Sequence, residues 1–210
     1  VLPPTLVRVD PANGRSTQLS RFNDEALSGM ALGRYESVTY EGANGQPIQM
    51  WVVYPPGFDP GRQYPLYLLL HGGPHNGITN GWHWRWNAQV FAGWGYVTAW
   101  HNFHGSSGFG QDFADSITAD WATLPYTDTI KAAEWFAGQP WIDAERMGAG
   151  GGSYGGYLAS LLLGLFPASI ATPLTGQAVL SIDPNVEAIK LKIWHGFNFI
   201  LLLSALTVLS

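Results

Sequence analysis

The alternation of apolar and polar residues changes character about a third of the way along the chain. Thr5 to Asp10 alternates, turns at Pro11-Ala-Asn13-Gly14 and can return through Ser16 to Leu19, which is a hairpin pattern. Arg21 to Gly33 has no clear period and reads as a linker. Two stronger strands follow, Glu36 to Tyr40 and Ile48 to Tyr54, across Glu41-Gly-Ala-Asn44-Gly45. The prolines and glycines from Pro55 to Gly61 mark a loop. Beyond it come short, continuously apolar runs: Leu66 to Leu70, Tyr96 to Trp100 and Met147 to Ala149. Helical patterns separate them, at Trp86 to Ala92 and about Thr127 to Phe136, and another follows Ser153. Strands apolar on both faces and alternating with helices predict a mostly parallel sheet of βαβ units, an α/β class.

Such sheets react at the carboxyl ends of their strands. Three loops leave those ends: His71-Gly-Gly-Pro-His75, then His101 to Gly110, then Gly151-Gly152-Ser153-Tyr154-Gly155. The last is a G-x-S-x-G nucleophile elbow in its required strand, turn, helix setting. Flanking glycines Gly151 and Gly155 allow a turn tight enough to hold Ser153 out at the sheet's edge. The Tyr154 N–H at the helix start, with the Gly72 and Gly73 backbone of the His71 loop, would form an oxyanion hole. All three loops are expected on one rim, with Trp and Tyr side chains lining an apolar pocket beside it. The plainer alternative is a glycine-rich turn whose serine caps a helix.

Composition narrows the function classes. The chain has 210 residues, 46% hydrophobic and 12% charged, with a formal net charge of -5 and no Lys/Arg block. That excludes an electrostatic footprint for nucleic acid. Without cysteine there is neither a disulfide nor thiolate chemistry, and the compartment is left open between periplasm or secretion and cytoplasm. Five histidines, at 71, 75, 83, 101 and 104, precede the serine. They lack the i, i+4 pairing with a carboxylate that zinc peptidases use, so neither a metal nor another cofactor is expected.

His71-Gly-Gly-Pro-His75, Asn102-Phe-His-Gly105-Ser-Ser-Gly-Phe-Gly110-Gln111, Asp120-Trp121 with Pro125-Tyr126-Thr-Asp128, and Gly152-Ser153-Tyr-Gly-Gly-Tyr157 occur in the order and approximate spacing of the prolyl oligopeptidase family. Within it they look most like the dipeptidyl-peptidase V and acylaminoacyl-peptidase branch. The resemblance covers residues 1 to 164 and implies a serine exopeptidase on an α/β-hydrolase sheet, acting on peptide substrates and normally preceded by a β-propeller. Residues 1–34 would then be a propeller-exit remnant and linker, and residues 35–164 the N-terminal half of the catalytic domain. Where many relatives carry Arg-Gly-Ser this chain has His104-Gly105-Ser106, and Ala122-Thr123 stands where relatives usually have glycines. A carboxylesterase or lipase on the same fold is the alternative; its marker would be His-Gly-Gly-Gly in place of His-Gly-Gly-Pro.

The resemblance stops after Gly164, so residues 165–210 read as a divergent apolar tail. The start at Val1-Leu-Pro-Pro, without initiator methionine or leader, likewise reads as a piece of something longer. A relative would continue with the acid and base in the order Ser, Asp, His. Asp183 or Glu187 and His195 have that order, but the 12 residues from Asp183 to His195 leave little room for the elements that normally separate such loops. They are poor triad candidates, and the chain is expected to be a truncated, inactive serine peptidase. From Trp194 on, 17 residues carry no charge, just under the roughly 20 that span a bilayer. The stretch from Lys190 to Asn198 resembles a segment of the membrane subunits of multisubunit cation/proton antiporters. A non-enzymatic chimera that associates with membranes through residues 194–210 is therefore the third reading. The sequence leaves oligomeric state open.

Overall fold

The computed structural model describes residues 3–165, 177–181 and 190–194. A two-stranded antiparallel pair comes first, β1 (Val7–Val9) with β2 (Ser16–Gln18), all six residues exposed. A five-residue helix α1 (Asp24–Ser28) then interrupts the stretch read as linker. The remaining strands build one seven-stranded sheet: β3 (Tyr35–Glu41), β4 (Pro47–Val53), β5 (Tyr64–Leu70), β6 (Val97–His101), β7 (Ile142–Gly151), β8 (Gln177–Ser181) and β9 (Lys190–Trp194). Their spatial order is β3-β4-β6-β5-β7-β9-β8. Strands β6, β5, β7 and β9 run parallel, while β3, β4 and β8 are antiparallel to their neighbours. Both β8 and β9 come from the stretch read as a divergent tail, and β9 pairs the edge of β7 at Met147 and Gly148 that half a sheet would leave open.

The apolar runs form strands because both faces are covered. On β5, Leu66, Leu68 and Leu70 enter one core with Met147, Phe136 and Leu158, while Tyr67 and Leu69 enter a second core with Ala88 and Ala92. Side chains on a strand alternate faces, so helices on both sides are the only way to bury all five. Helix α2 (Ala88–Gly93) takes one side, and α4 (Thr123–Ala137) and α5 (Tyr154–Leu165) the other. Asn87 caps α2 by accepting the Gln89 N–H at 3.0 Å, which starts it two residues later than its periodicity suggests. Helix α4 begins four residues before the predicted Thr127. Pro125 sits in its first turn, where no intrahelical N–H is required, so this proline does not delay the helix. Its buried stripe is Asp128, Thr129, Ala132, Ala133 and Phe136. Helix α3 (Gln111–Asp115) is too short to show a period and was not expected.

Leu68 is fully buried at the centre of the sheet. Leu68→Ala is expected to lower unfolding free energy by about 2–5 kcal/mol, measured as a shift of the urea midpoint.

Candidate active site

The strand-to-helix turn is built by backbone contact. The carbonyl of Leu70, the last residue of β5, lies so close to Gly151 and Gly155 that a Cβ at either position would overlap it. Glycine is required there by space. Between them Ser153 takes φ 56°, a left-handed conformation unusual outside glycine, and its side chain is exposed. No hydrogen bond to Ser153 Oγ is formed among the described residues. The N–H groups of Gly155, Gly156 and Tyr157 are taken up by Gly152 and Ser153 carbonyls. That of Tyr154 belongs to the first turn of α5, where an amide has no intrahelical acceptor.

The β5 loop meets this turn from the neighbouring strand. A Cβ at Gly72 would stand 3.3 Å from Ser153 Cβ and 3.2 Å from the Gly152 carbonyl. The Gly72 carbonyl accepts from His71 Nδ1 at 2.9 Å and from Asn76 Nδ2 at 3.0 Å. The Gly72–Gly73 peptide is trans, so within its plane the Gly73 N–H points opposite to the Gly72 carbonyl and away from these donors. His71 is itself buried, stacked on Phe103 at 4.0 Å between ring centres, with Nε2 2.9 Å from Ser106 Oγ. Nδ1 faces a carbonyl and can only donate, while Ser106 donates its hydroxyl to the Phe103 carbonyl at 2.7 Å. The loop after β6 thereby braces the loop after β5.

The predicted rim therefore forms, but its histidines divide. His75 and His83 are exposed, whereas His71, His101 and His104 are buried. His104, which stands where many relatives carry arginine, is the centre of a buried cluster. Asp128 is fully buried and accepts from the Ala43 N–H at 2.8 Å, the His104 N–H at 2.7 Å and His104 Nδ1 at 2.7 Å, and His104 Nε2 meets Gln46 Oε1 at 2.7 Å. This one carboxylate joins α4, the β6 loop and the turn between β3 and β4. Removing one member of such a buried pair leaves an uncompensated group at a cost of about 3–5 kcal/mol. His101, beside it, is paired with Tyr40 at 2.8 Å. Tyr40 donates to the Asp128 carbonyl and so accepts from His101 Nδ1. No signal short of three-dimensional contact links residues 43, 46, 104 and 128. Asp183 and His195 lie outside the described residues, as does all but Trp194 of the segment 194–210. Among the described residues no helix is long and apolar enough to cross a membrane, and no group of three His, Asp or Glu could hold a metal.

A cavity of about 820 Å³ opens beside Ser153, lined by His71, Gly72 and Gly73 and by Trp51, Trp86 and Trp100. Trp86 lies over the elbow: a Cβ on Gly152 would come within 2.7 Å of its Cζ2.

Comparison with known proteins then decides the ancestry. Residues 82–173 match the model of the prolyl oligopeptidase family. By ancestry this is a hydrolase of that family, with serine peptidases as its relatives. The chain is 40% identical over 142 residues to a probable dipeptidyl-peptidase 5 of Aspergillus terreus, covering 67% of this chain and 20% of that protein. It is 34% identical over 163 residues to dipeptidyl-peptidase 5 of Porphyromonas gingivalis, covering 78% and 24%. The chain thus spans about a fifth to a quarter of the length of these relatives. Among solved structures, the acylaminoacyl peptidase of Pyrococcus horikoshii superposes with a TM-score of 0.63 at 24% identity, over 72% of this chain and 24% of that one. A puromycin-hydrolysing peptidase of Mycobacterium tuberculosis gives 0.64 at 25% identity, over 77% and 25%. The second strand-end loop and the elbow fall inside the matched segment; the Gly72–Gly73 loop precedes it.

Burial holds His71 down at about 4, against the Gly72 carbonyl that favours its charged form. Burial likewise lowers His101 to about 3; Asp128 opposes the shift and His71 adds to it. The unfolded chain protonates both near 6.5, so below that pH it binds protons that the folded chain refuses. Stability from these two groups is complete above pH 6.5 and declines on acidification towards pH 4. Each should lose on the order of 2 kcal/mol between pH 6.5 and 5. Urea midpoints measured from pH 7 to 5 are expected to fall, and His101→Gln to make the slope shallower. A second prediction concerns space: Gly155→Val should abolish cooperative unfolding, followed by circular dichroism, because the Leu70 carbonyl cannot move without breaking β5.

Proposed function

We propose that the chain carries the nucleophile half of a serine exopeptidase site of the dipeptidyl- or acylaminoacyl-peptidase kind. The observation that carries this reading is Ser153, exposed at φ 56° on the elbow, next to a Gly72 carbonyl already turned away by two donors. Ser153 Oγ attacks a peptide carbonyl, and the Tyr154 and Gly73 N–H groups hold the oxyanion that forms. Tyr154 also donates its hydroxyl to the Trp121 carbonyl at 2.5 Å, which tethers the start of α5 to the segment before α4. The relatives named dipeptidyl-peptidase support the substrate class, a peptide cut near its N-terminus. The proline of His71-Gly-Gly-Pro74 favours peptidase over esterase.

No histidine hydrogen-bonds Ser153 Oγ among the described residues, and we propose that Asp183, Glu187 and His195 do not supply the base and its orienting acid in this chain. A serine hydroxyl without its base is a poor nucleophile, and losing the histidine of a comparable triad costs about a million-fold in turnover. Fluorophosphonate labelling tests this directly. The expected result is very slow labelling, lost in Ser153→Ala and unchanged in His195→Ala. Rapid labelling that needs both residues would mean that a complete triad reaches His195. Membrane association through 194–210 is tested by flotation of the purified chain with liposomes; recovery with the vesicles supports it, and recovery in the soluble fraction removes it.

A further inference from the structure

We propose that the cavity beside Ser153 binds a peptide carboxylate next to an apolar side chain, with Arg85 as the anion's partner. The inference deepens the peptidase reading by naming what the cleft selects. Its walls are apolar, with Trp51, Trp86 and Trp100 and the side chain of Ile78. Its polar groups are strongly one-sided. Arg85 lines the cavity and no aspartate or glutamate does, although the chain as a whole carries a net charge of -5. The Arg85 side chain forms no ion pair among the described residues and is exposed.

Two neighbouring groups add donors. The amides of Arg85 and Trp86 both donate to His83 Nδ1, at 3.1 and 2.8 Å. With Nδ1 accepting, the ring's proton is on Nε2, so His83 presents a donor. The same two bonds fix the backbone from which the Arg85 side chain extends. Trp82 also lines the cavity, and its Nε1 is buried with no hydrogen-bond partner among the described residues. A guanidinium and spare N–H groups over apolar walls match a carboxylate on an otherwise apolar ligand. With a scissile carbonyl at Ser153, that carboxylate is either the C-terminus of a short peptide or an acidic side chain close to the bond. Both offer Arg85 the same chemistry.

The test uses the full chain carrying Ser153→Ala, which removes the reacting hydroxyl and leaves the cavity walls. Calorimetric titration compares N-acetyl-Gly-Phe as free acid, the same peptide as its amide, and N-acetyl-Asp-Phe amide. At least one carboxylate peptide should bind about tenfold more tightly than the neutral amide. The advantage should shrink at high salt and vanish in Arg85→Gln, with an unchanged unfolding midpoint. A stronger free acid places a C-terminus at Arg85; a stronger aspartyl peptide places a side chain there. Equal affinities, no binding of any of the three, or an advantage that survives Arg85→Gln would overturn the proposal. Failure of the nucleophile reading would show separately, as absence of phosphonate label at Ser153 in the unmutated chain, and would leave these titrations unaffected.

Discussion

The contact on which the rest of the structure depends is the approach of one carbonyl, that of Leu70, to the backbones of Gly151 and Gly155. It brings the end of β5 against the turn between β7 and α5 with no side chain between them. Two consequences follow from the geometry. The chain must reverse so sharply after β7 that Ser153 takes a left-handed conformation, and the loop after β5 must pass directly beside it. Ser153 and the loop after β5 are thus placed by main-chain packing, which tolerates less drift than contacts between side chains.

The surrounding side chains keep that arrangement from relaxing. His71 and Asn76 hold the Gly72 carbonyl, Ser106 holds His71, and the His104–Asp128 cluster holds the loop carrying Ser106. The His71 and Asn76 bonds to Gly72 are local, whereas the His71–Ser106 and His104–Asp128 bonds are buried and join residues 35 and 24 positions apart. A fully satisfied buried polar network specifies one geometry at the expense of tolerance to change. The neutrality of His71 and His101 belongs to the same logic, since charging either would leave an ion in a core that has no counter-ion to spare beyond Asp128, already paired.

The elbow and the three strand-end loops were legible because their information is local. Glycine spacing, short apolar runs and the periodicity of α4 and α5 all lie within a dozen residues. The motifs at His71, Asn102, Asp120 and Ser153 gave the family, and the matched segment 82–173 agrees with it. What was illegible depends on distant partners. Nothing near His104 marks it as the partner of Asp128, 24 residues on, or of Gln46, 58 residues back. Nothing near Trp86 says that it lies over Gly152. The strand order was also hidden, because β6 enters between β4 and β5 by a crossover that composition does not record. Residues 177–181 and 190–194, read as tail, pair into the sheet.

We propose that the Tyr154 and Gly73 amides converge on a single point beside Ser153 Oγ. This convergence is tested most directly by a crystal structure of the chain after prolonged reaction with a small phosphonate ester. A phosphonyl group is expected on Ser153 with its oxygen about 2.7–3.1 Å from both nitrogens. A Ser153 adduct whose oxygen faces solvent, or a Gly73 N–H turned towards His71, would contradict it.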